Sequence, residues 1–444
     1  MNTDIISILN KDVLSIKDIS KYILYLIVFL FPLSAGGNTW FGFGSTTGIF
    51  LIETMIAIAG LMILGFYNGL FEAIRGLSCF QWLVFLSALI YLAINIISMF
   101  LSISTFKSEG LVFVYISAVI LFFSFYVTFD KADINTLLIL LVVACVIVSG
   151  IGIYQTVYWF PHLLAIYRGN KINNPDIINL IKSTFRAMGT FEHPNVMAGF
   201  LLMIIPSTYL FVIEKQGYSK YLFSIPTFLI TLGLFITYSR AGIFLYALSL
   251  PFIFLVLRKR FSFIRILLPI AVIAVLAGVS SGIIISTYSS HNKQTLINKY
   301  SPSKLLVTNN MSFIARENYD ISALRVIKHN LWIGTGPGTY GIAVRRYQAG
   351  AFYSKHAHNN YLELTSEIGV FGLIAYLLFI IGIFILLIQG LKQGSLPAGM
   401  ILVSMGSFAV HTAVDFDYSS PAIVWVLFLY GAIALLLGRR DYET

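Results

Sequence analysis

Three observations predict an all-α integral membrane protein of about twelve transmembrane helices with two long external loops. Only 11% of the 444 residues are charged and 58% are hydrophobic, whereas soluble domains carry roughly 25% charged residues. Apolar runs of about 20 residues recur along the chain, the length needed to cross hydrocarbon with every backbone group satisfied inside the segment. Two long connections, about 158–193 and 287–366, interrupt that series. Thirty-seven Phe and twenty-five Tyr suit a bundle whose aromatic rings also sit at the membrane interfaces.

The runs fall near 21–37, 46–66, 80–101, 110–128, 135–157, 194–213, 221–238, 241–257, 265–286, 367–389, 397–415 and 421–438. Residues 1–20 are polar and mildly amphipathic, without the apolar core and small-residue cleavage site of a secretory signal, and are expected to stay as a cytoplasmic segment. The expected organisation is therefore five helices over 21–157, an external loop over 158–193, four helices over 194–286, a large external loop over 287–366, and three helices with a cytoplasmic C-terminus over 367–444. Cys79 and Cys145 lie near a helix end and inside an apolar run, which argues against a disulfide framework or a thiolate metal site.

Lys and Arg concentrate in cytoplasmic loops of membrane proteins. Here one alternating set of connections holds Lys11, Lys17, Lys21, Arg75, Lys131, Lys215, Lys220, Arg258-Lys259-Arg260, Lys392 and Arg439-Arg440, while the opposite short connections hold only Lys107 and Arg240. Both termini are then expected in the cytoplasm and both long loops outside. In the first loop, Ile177, Ile178, Ile181, Phe185 and Met188 recur at helical spacing after Asn174-Pro175 and up to Gly189, predicting a helix lying on the bundle. In the second, Ile321, Leu324, Ile327 and Leu331 share one face of an amphipathic segment that ends at the glycine-rich GTGPGTYG. GPGTYG matches a dinucleotide fingerprint in letters only, because no strand-turn-helix context surrounds it, and reads as a turn.

This topology gathers Arg186, Arg240, Arg316, His356 and His358 on one side of the membrane. Arginine offers phosphate a fork of donors and stays charged at any working pH, so such a set can stabilise a diphosphate leaving group. An imidazole can take the proton from an acceptor hydroxyl. Beside these readings stand plainer ones. Arg186 could serve a helix C-terminus, Arg240 could anchor a helix turn at the headgroups, and Arg316 could be a solvated charge. His356 could be a bystander or join His358 in a metal pair with Glu363 or Glu367, and His411 could be either functional or packed. Asn195 and Asn359 could orient glycan or simply cap helices.

Four stretches together resemble the O-antigen ligase and O-antigen polymerase superfamily of bacterial surface-polysaccharide assembly: RAMGTFEHPNVMAGFL from Arg186, TYSRAGIF around Arg240, the run from Arg316 through ALRVIKHNLWIGTGPGTYG, and HNNYLELTSEIGVFG from His358. They span roughly 186–372. The resemblance implies about twelve helices in the bacterial plasma membrane and a metal-independent, inverting transfer with no cofactor. Its donor would be an undecaprenyl-diphosphate-linked glycan, its acceptor a glycan or lipid core, and its surroundings membrane lipids, with no nucleic acid. By that resemblance Arg186 and Arg316 match the family's functional arginines and His358 its functional histidine, acting as general base; Arg240 also matches a family pattern. The rival class is a transporter or flippase of lipid-linked oligosaccharide. Alternating access would favour a charged site near the midplane, whereas the apolar runs here are nearly free of charge.

Overall fold

The computed structural model describes residues 16–34, 53–56, 60, 74–169, 185–291, 302–350 and 352–438. The N-terminal fifteen residues, most of the 46–66 run, the 170–184 part of the first loop and Arg439-Arg440 lie outside these. Among the described residues there is helix and no strand. The helices are α1 (Ile16–Ser34), α2 (Cys79–Phe100), α3 (Thr105–Thr128), α4 (Ile134–Tyr154), α5 (Phe160–Gly169), α6 (Pro194–Glu214), α7 (Tyr218–Ile236), α8 (Arg240–Leu257), α9 (Phe263–His291), α10 (Pro302–His329), α11 (Tyr340–Tyr347), α12 (Asn360–Lys392), α13 (Leu396–His411) and α14 (Pro421–Leu437). Eight spans among the described residues are long and apolar enough to cross a membrane, and α13 and α14 are shorter apolar helices. The protein is a multi-pass membrane protein.

Burial follows composition. In α6 and α14, apolar all round, nearly every residue is buried, so these two helices form the centre of the bundle. Outer helices such as α8 and α9 turn Phe244, Phe252, Val275 and Ile283 outward, where lipid would be their solvent. Local signals set the ends: Ser78 and Gln81 make a capping box for α2, Ser239 caps α8 through Gly242 N–H, and Asn359 caps α12 through the N–H groups of Tyr361 and Leu362.

One expectation for the loops is corrected. Residues 185–188, assigned to a helix by their apolar spacing, are not helical. Their backbone groups find other partners: Ala187 N–H donates to Ile236 O at 2.9 Å, and Gln155 Oε1 accepts from Met188 N–H (3.0 Å) and Gly189 N–H (2.8 Å) while its Nε2 donates to Gly189 O. Gln155 opens a π-helical turn, Gln155–Trp159, between α4 and α5. Tertiary bonding thus replaces the local helix. In the second loop α10 is a helix with Ile321 and Leu324 on its outward side and Ser322, Ala323 and Val326 facing the protein.

After α10 the chain turns through Gly334, Gly336 and Gly338, all at positive φ, and its backbone docks against α12 where that helix breaks at Gly369 (φ 69°). Thr335 and Gly336 N–H donate to Ser366 and Glu367 carbonyls, and Val370 N–H donates to Leu331 O. The glycine string is a turn, as its context required. Gly334 lies against the Glu367–Ile368 backbone and Gly369 against the Trp332–Ile333 backbone, and a Cβ on Gly369 would sit 2.1 Å from Trp332 O.

Candidate active site

A cavity of about 500 Å³ opens at one end of the bundle, lined by residues from five segments far apart in sequence. Arg186 enters from the extended 185–191 stretch, Asn195 from the start of α6, Arg240 from the start of α8, Arg316 from α10, and His358 from the loop before α12. The sequence thus named five residues that the structure brings together. Helices α6 and α8 begin at this cavity and α12 begins two residues after His358, so their N-terminal dipoles add positive potential where the arginines lie.

Arg186 is locked by its neighbours. Its Nε donates to Thr237 O at 2.6 Å and its Nη2 to Asn195 Oδ1. Asn195 in turn donates through Nδ2 to Asp415 Oδ2 at 2.5 Å, besides lying in the first turn of α6, whose N-cap is His193. Arg316 is freer: 40% of its side chain is exposed, and its Nη2 lies 3.9 Å from Asp415 Oδ2. Arg240 lines the cavity from an exposed position.

Sequence reasoning passed over Asp415 as a member of this site. Its carboxylate, almost wholly buried, faces Asn195, Arg316 and His358 at once. Burial pushes its carboxyl up, but the His358 ring 3.5 Å away, with charge from His411 and His193, outweighs this and holds it below the ordinary carboxylate range. The DFDY string held no spacing that would link it to a loop 57 residues upstream; only the closure of α13 onto α12, through Asn360 N–H to Thr412 O (2.8 Å) and Tyr361 Oη to Ala409 O (2.8 Å), makes the contact.

His193 and Tyr319 also line the cavity. The His193 ring accepts Asn195 N–H on Nδ1 at 3.2 Å, so its neutral form carries its proton on Nε2. Burial chiefly, helped by Arg186, His358 and His356 and opposed by Asp415, pushes it down to about 4. Tyr319 stacks on His358 with ring centres 5.5 Å apart. Among the described residues only two non-glycines, Tyr238 (φ 50°) and His358 (φ 54°), take positive φ, and both line this cavity. Such backbone costs on the order of 1 kcal/mol and clusters at functional sites.

His356 and Asn359 do not line this cavity. His356 Nδ1 pairs with Glu363 Oε1 at 2.9 Å, and Ala357 N–H donates to Glu363 Oε2. Burial lowers the His356 pKa, but the Glu363 hydrogen bond and charge win and raise it above the usual imidazole value. Asn359 spends its side chain on capping α12. His411 is fully buried with its Nδ1 2.7 Å from Asp417 Oδ2, the packed alternative of the two left open. Among the described residues, no three His, Cys, Asp or Glu side chains are grouped to hold a metal ion.

Fold and cavity define a multi-pass helical membrane protein with a cationic, histidine-bearing site at one end of its bundle. Residues 225–377, about a third of the chain, match the family model Wzy_C, O-antigen ligase. The matched stretch holds Arg240, Arg316, His356, His358 and Asn359; Arg186, Asn195 and Asp415 lie outside it. No curated protein matches the chain.

Proposed function

We propose that the protein is an inverting glycosyltransferase that moves an undecaprenyl-diphosphate-linked glycan onto a glycan or lipid-core acceptor at the external face of the bacterial plasma membrane. The observation that carries this is the convergence of Arg186, Arg240, Arg316 and His358 on one cavity from remote segments. The family match over 225–377 supports the substrate class. Lys and Arg counts support the orientation, and the eight spans, α13, α14, α1 and the 46–66 run support twelve helices.

In this mechanism Arg316 and Arg240 receive the diphosphate, with Arg186 fixing the floor through Thr237 and Asn195. His358 takes the proton of the acceptor hydroxyl as its oxygen attacks the anomeric carbon. The bond from that carbon to the phosphate oxygen breaks, and the leaving diphosphate keeps the electron pair, its charge spread over the guanidinium groups. One displacement inverts the anomeric centre. Donors aimed at such developing charge are each worth roughly 3 kcal/mol. Asp415 supports the imidazolium that forms on His358. The donor's anhydride carries the activation, so no cofactor is called for, and chelation is expected to leave transfer intact.

The test is transfer in liposomes holding purified protein and undecaprenyl diphosphate oligosaccharide, with and without a core acceptor. Lengthened lipid-linked glycan without acceptor, lost in His358→Ala, defines a polymerase; product only with the core acceptor defines a ligase. Lipid crossing the bilayer with no new linkage sinks the enzyme and installs the transporter.

A further inference from the structure

We propose that a second cavity, of about 320 Å³, binds a sugar ring of the acceptor; this rests on the glycosyltransferase function above. The cavity stands next to the arginine site with Phe416 as the partition. Phe416 stacks flat on His356, which lines the second cavity (4.4 Å, 5°), and meets edge-on His358, which lines the first (4.9 Å, 86°). Two residues apart in sequence, the histidines therefore serve different cavities.

The lining chemistry differs as sharply. Lys107 and Glu192 are exposed at the rim, Glu363 and His356 form a wall, and Tyr115 and Glu367 are buried within. With Lys355 the cavity holds two lysines and His356 against three acidic side chains, one of them the buried Glu367, so its charges are close to balanced, while the arginine cavity holds three guanidinium groups against Asp415 alone. What suits the second cavity is a neutral polyol, whose hydroxyls both donate and accept. Glu363 already holds His356 and Ala357, one on each oxygen, yet a carboxylate has about four lone-pair sites and can accept further hydroxyls. Ser419 Oγ, also in the lining, is buried without a hydrogen-bond partner among the described residues. A volume at the lower end of the roughly 300–1,000 Å³ of small-ligand pockets fits one ring rather than a chain. A ring held against His356 is separated from His358 by the single ring of Phe416.

The experiment uses full-length protein in nanodiscs, the lipid-linked donor, and two free sugars as probes in separate arms: the repeat-unit oligosaccharide and the core oligosaccharide. Lys107→Gln/Glu192→Gln, altered only at the exposed rim, is compared with wild type. Expected are an acceptor KM raised about tenfold, with kcat and donor KM within about twofold, and loss of saturation-transfer NMR contact to the free sugar measured without donor. The arm that shows contact identifies the acceptor. A raised donor KM with acceptor KM unchanged would give the cavity to the donor glycan and overturn the proposal, as would unchanged acceptor KM and NMR contact. Sugar contact that the rim variant abolishes, in a wild type that forms no linkage, would keep the sugar site and remove the transferase.

Discussion

Asp415 Oδ1 stands 3.5 Å from His358 Nδ1, an ion-pair distance rather than a formed hydrogen bond. The two come from loops joined to different helices, and the strained φ of His358 holds its ring between Asp415, Tyr319 and Phe416. A buried carboxylate in this place favours the proton on Nδ1 and leaves Nε2 free to act as base. Asp415→Asn keeps the shape and the acceptor for Asn195 but removes the charge. Transfer is expected to fall roughly 10²-fold or more in kcat, with donor KM little changed. Steady-state kinetics in proteoliposomes decide it; an unchanged kcat would leave Asp415 with a packing role only.

Arg186 and Arg316 are expected to separate stability from catalysis. Arg186 stitches the 185–191 stretch to the end of α7 and to Asn195. Arg316, 40% exposed, makes a long contact to Asp415 rather than a close one. Arg186→Lys therefore loses both transfer and thermal stability, since an ammonium cannot reproduce the two directions of the guanidinium. Arg316→Ala loses transfer but keeps its unfolding midpoint within about 2 °C, the scale of a surface change. Scanning fluorimetry alongside the transfer assay reads both; equal midpoint losses in the two variants would show that Arg316 also holds the fold.

Some of this arrangement was legible from residue types and topology, because loop charges in a membrane protein are few and each one stands out. Arg186, Arg240, Arg316 and His358 were placed together that way, along with His356, which lines the neighbouring cavity instead. Asp415 and His193 were not, since each depends on which helix ends are neighbours, and hydropathy is silent on that. The false helix at 185–188 arose because Phe185 and Met188 do have helical spacing. The backbone partners of Ala187 and Met188, Ile236 and Gln155, lie 30 to 50 residues away, beyond any local window.

Gly369 is expected to be irreplaceable for the fold of the site. At φ 69° an L side chain is strained, and a Cβ would strike the Trp332 carbonyl, which is backbone and cannot swing away. Gly369→Ala must push the 331–336 turn off α12, breaking the bonds of Thr335, Gly336 and Val370 to their partners. The loss should be several kcal/mol, seen as a steep fall in yield and unfolding midpoint. Gly282, with open space where its Cβ would be, serves as the control: Gly282→Ala should leave both unchanged. A folded, active Gly369→Ala would show that the turn can move without disturbing the site.

His193 makes the site sensitive to acid. Its folded-state value of about 4 lies below the ordinary imidazole value of 6.5 because burial, with the positive charge of Arg186, His358 and His356, disfavours its protonated form against the pull of Asp415. Between pH 6.5 and 4 the unfolded chain thus binds a proton that the folded chain refuses. Stability is present in full above pH 6.5 and declines as pH falls through that window, by about 3 kcal/mol at most. His356 works in the opposite sense, its raised value favouring the folded state at lower pH, so the comparison must be made against a variant rather than on wild type alone. His193→Asn keeps an acceptor at the N-cap of α6 and removes the titration. Unfolding midpoints taken at pH 7 and 4.5 should fall further for wild type than for His193→Asn. Equal falls would mean that His193 is protonated in the folded protein without cost, and that burial and Arg186 disfavour its charge less than their positions imply.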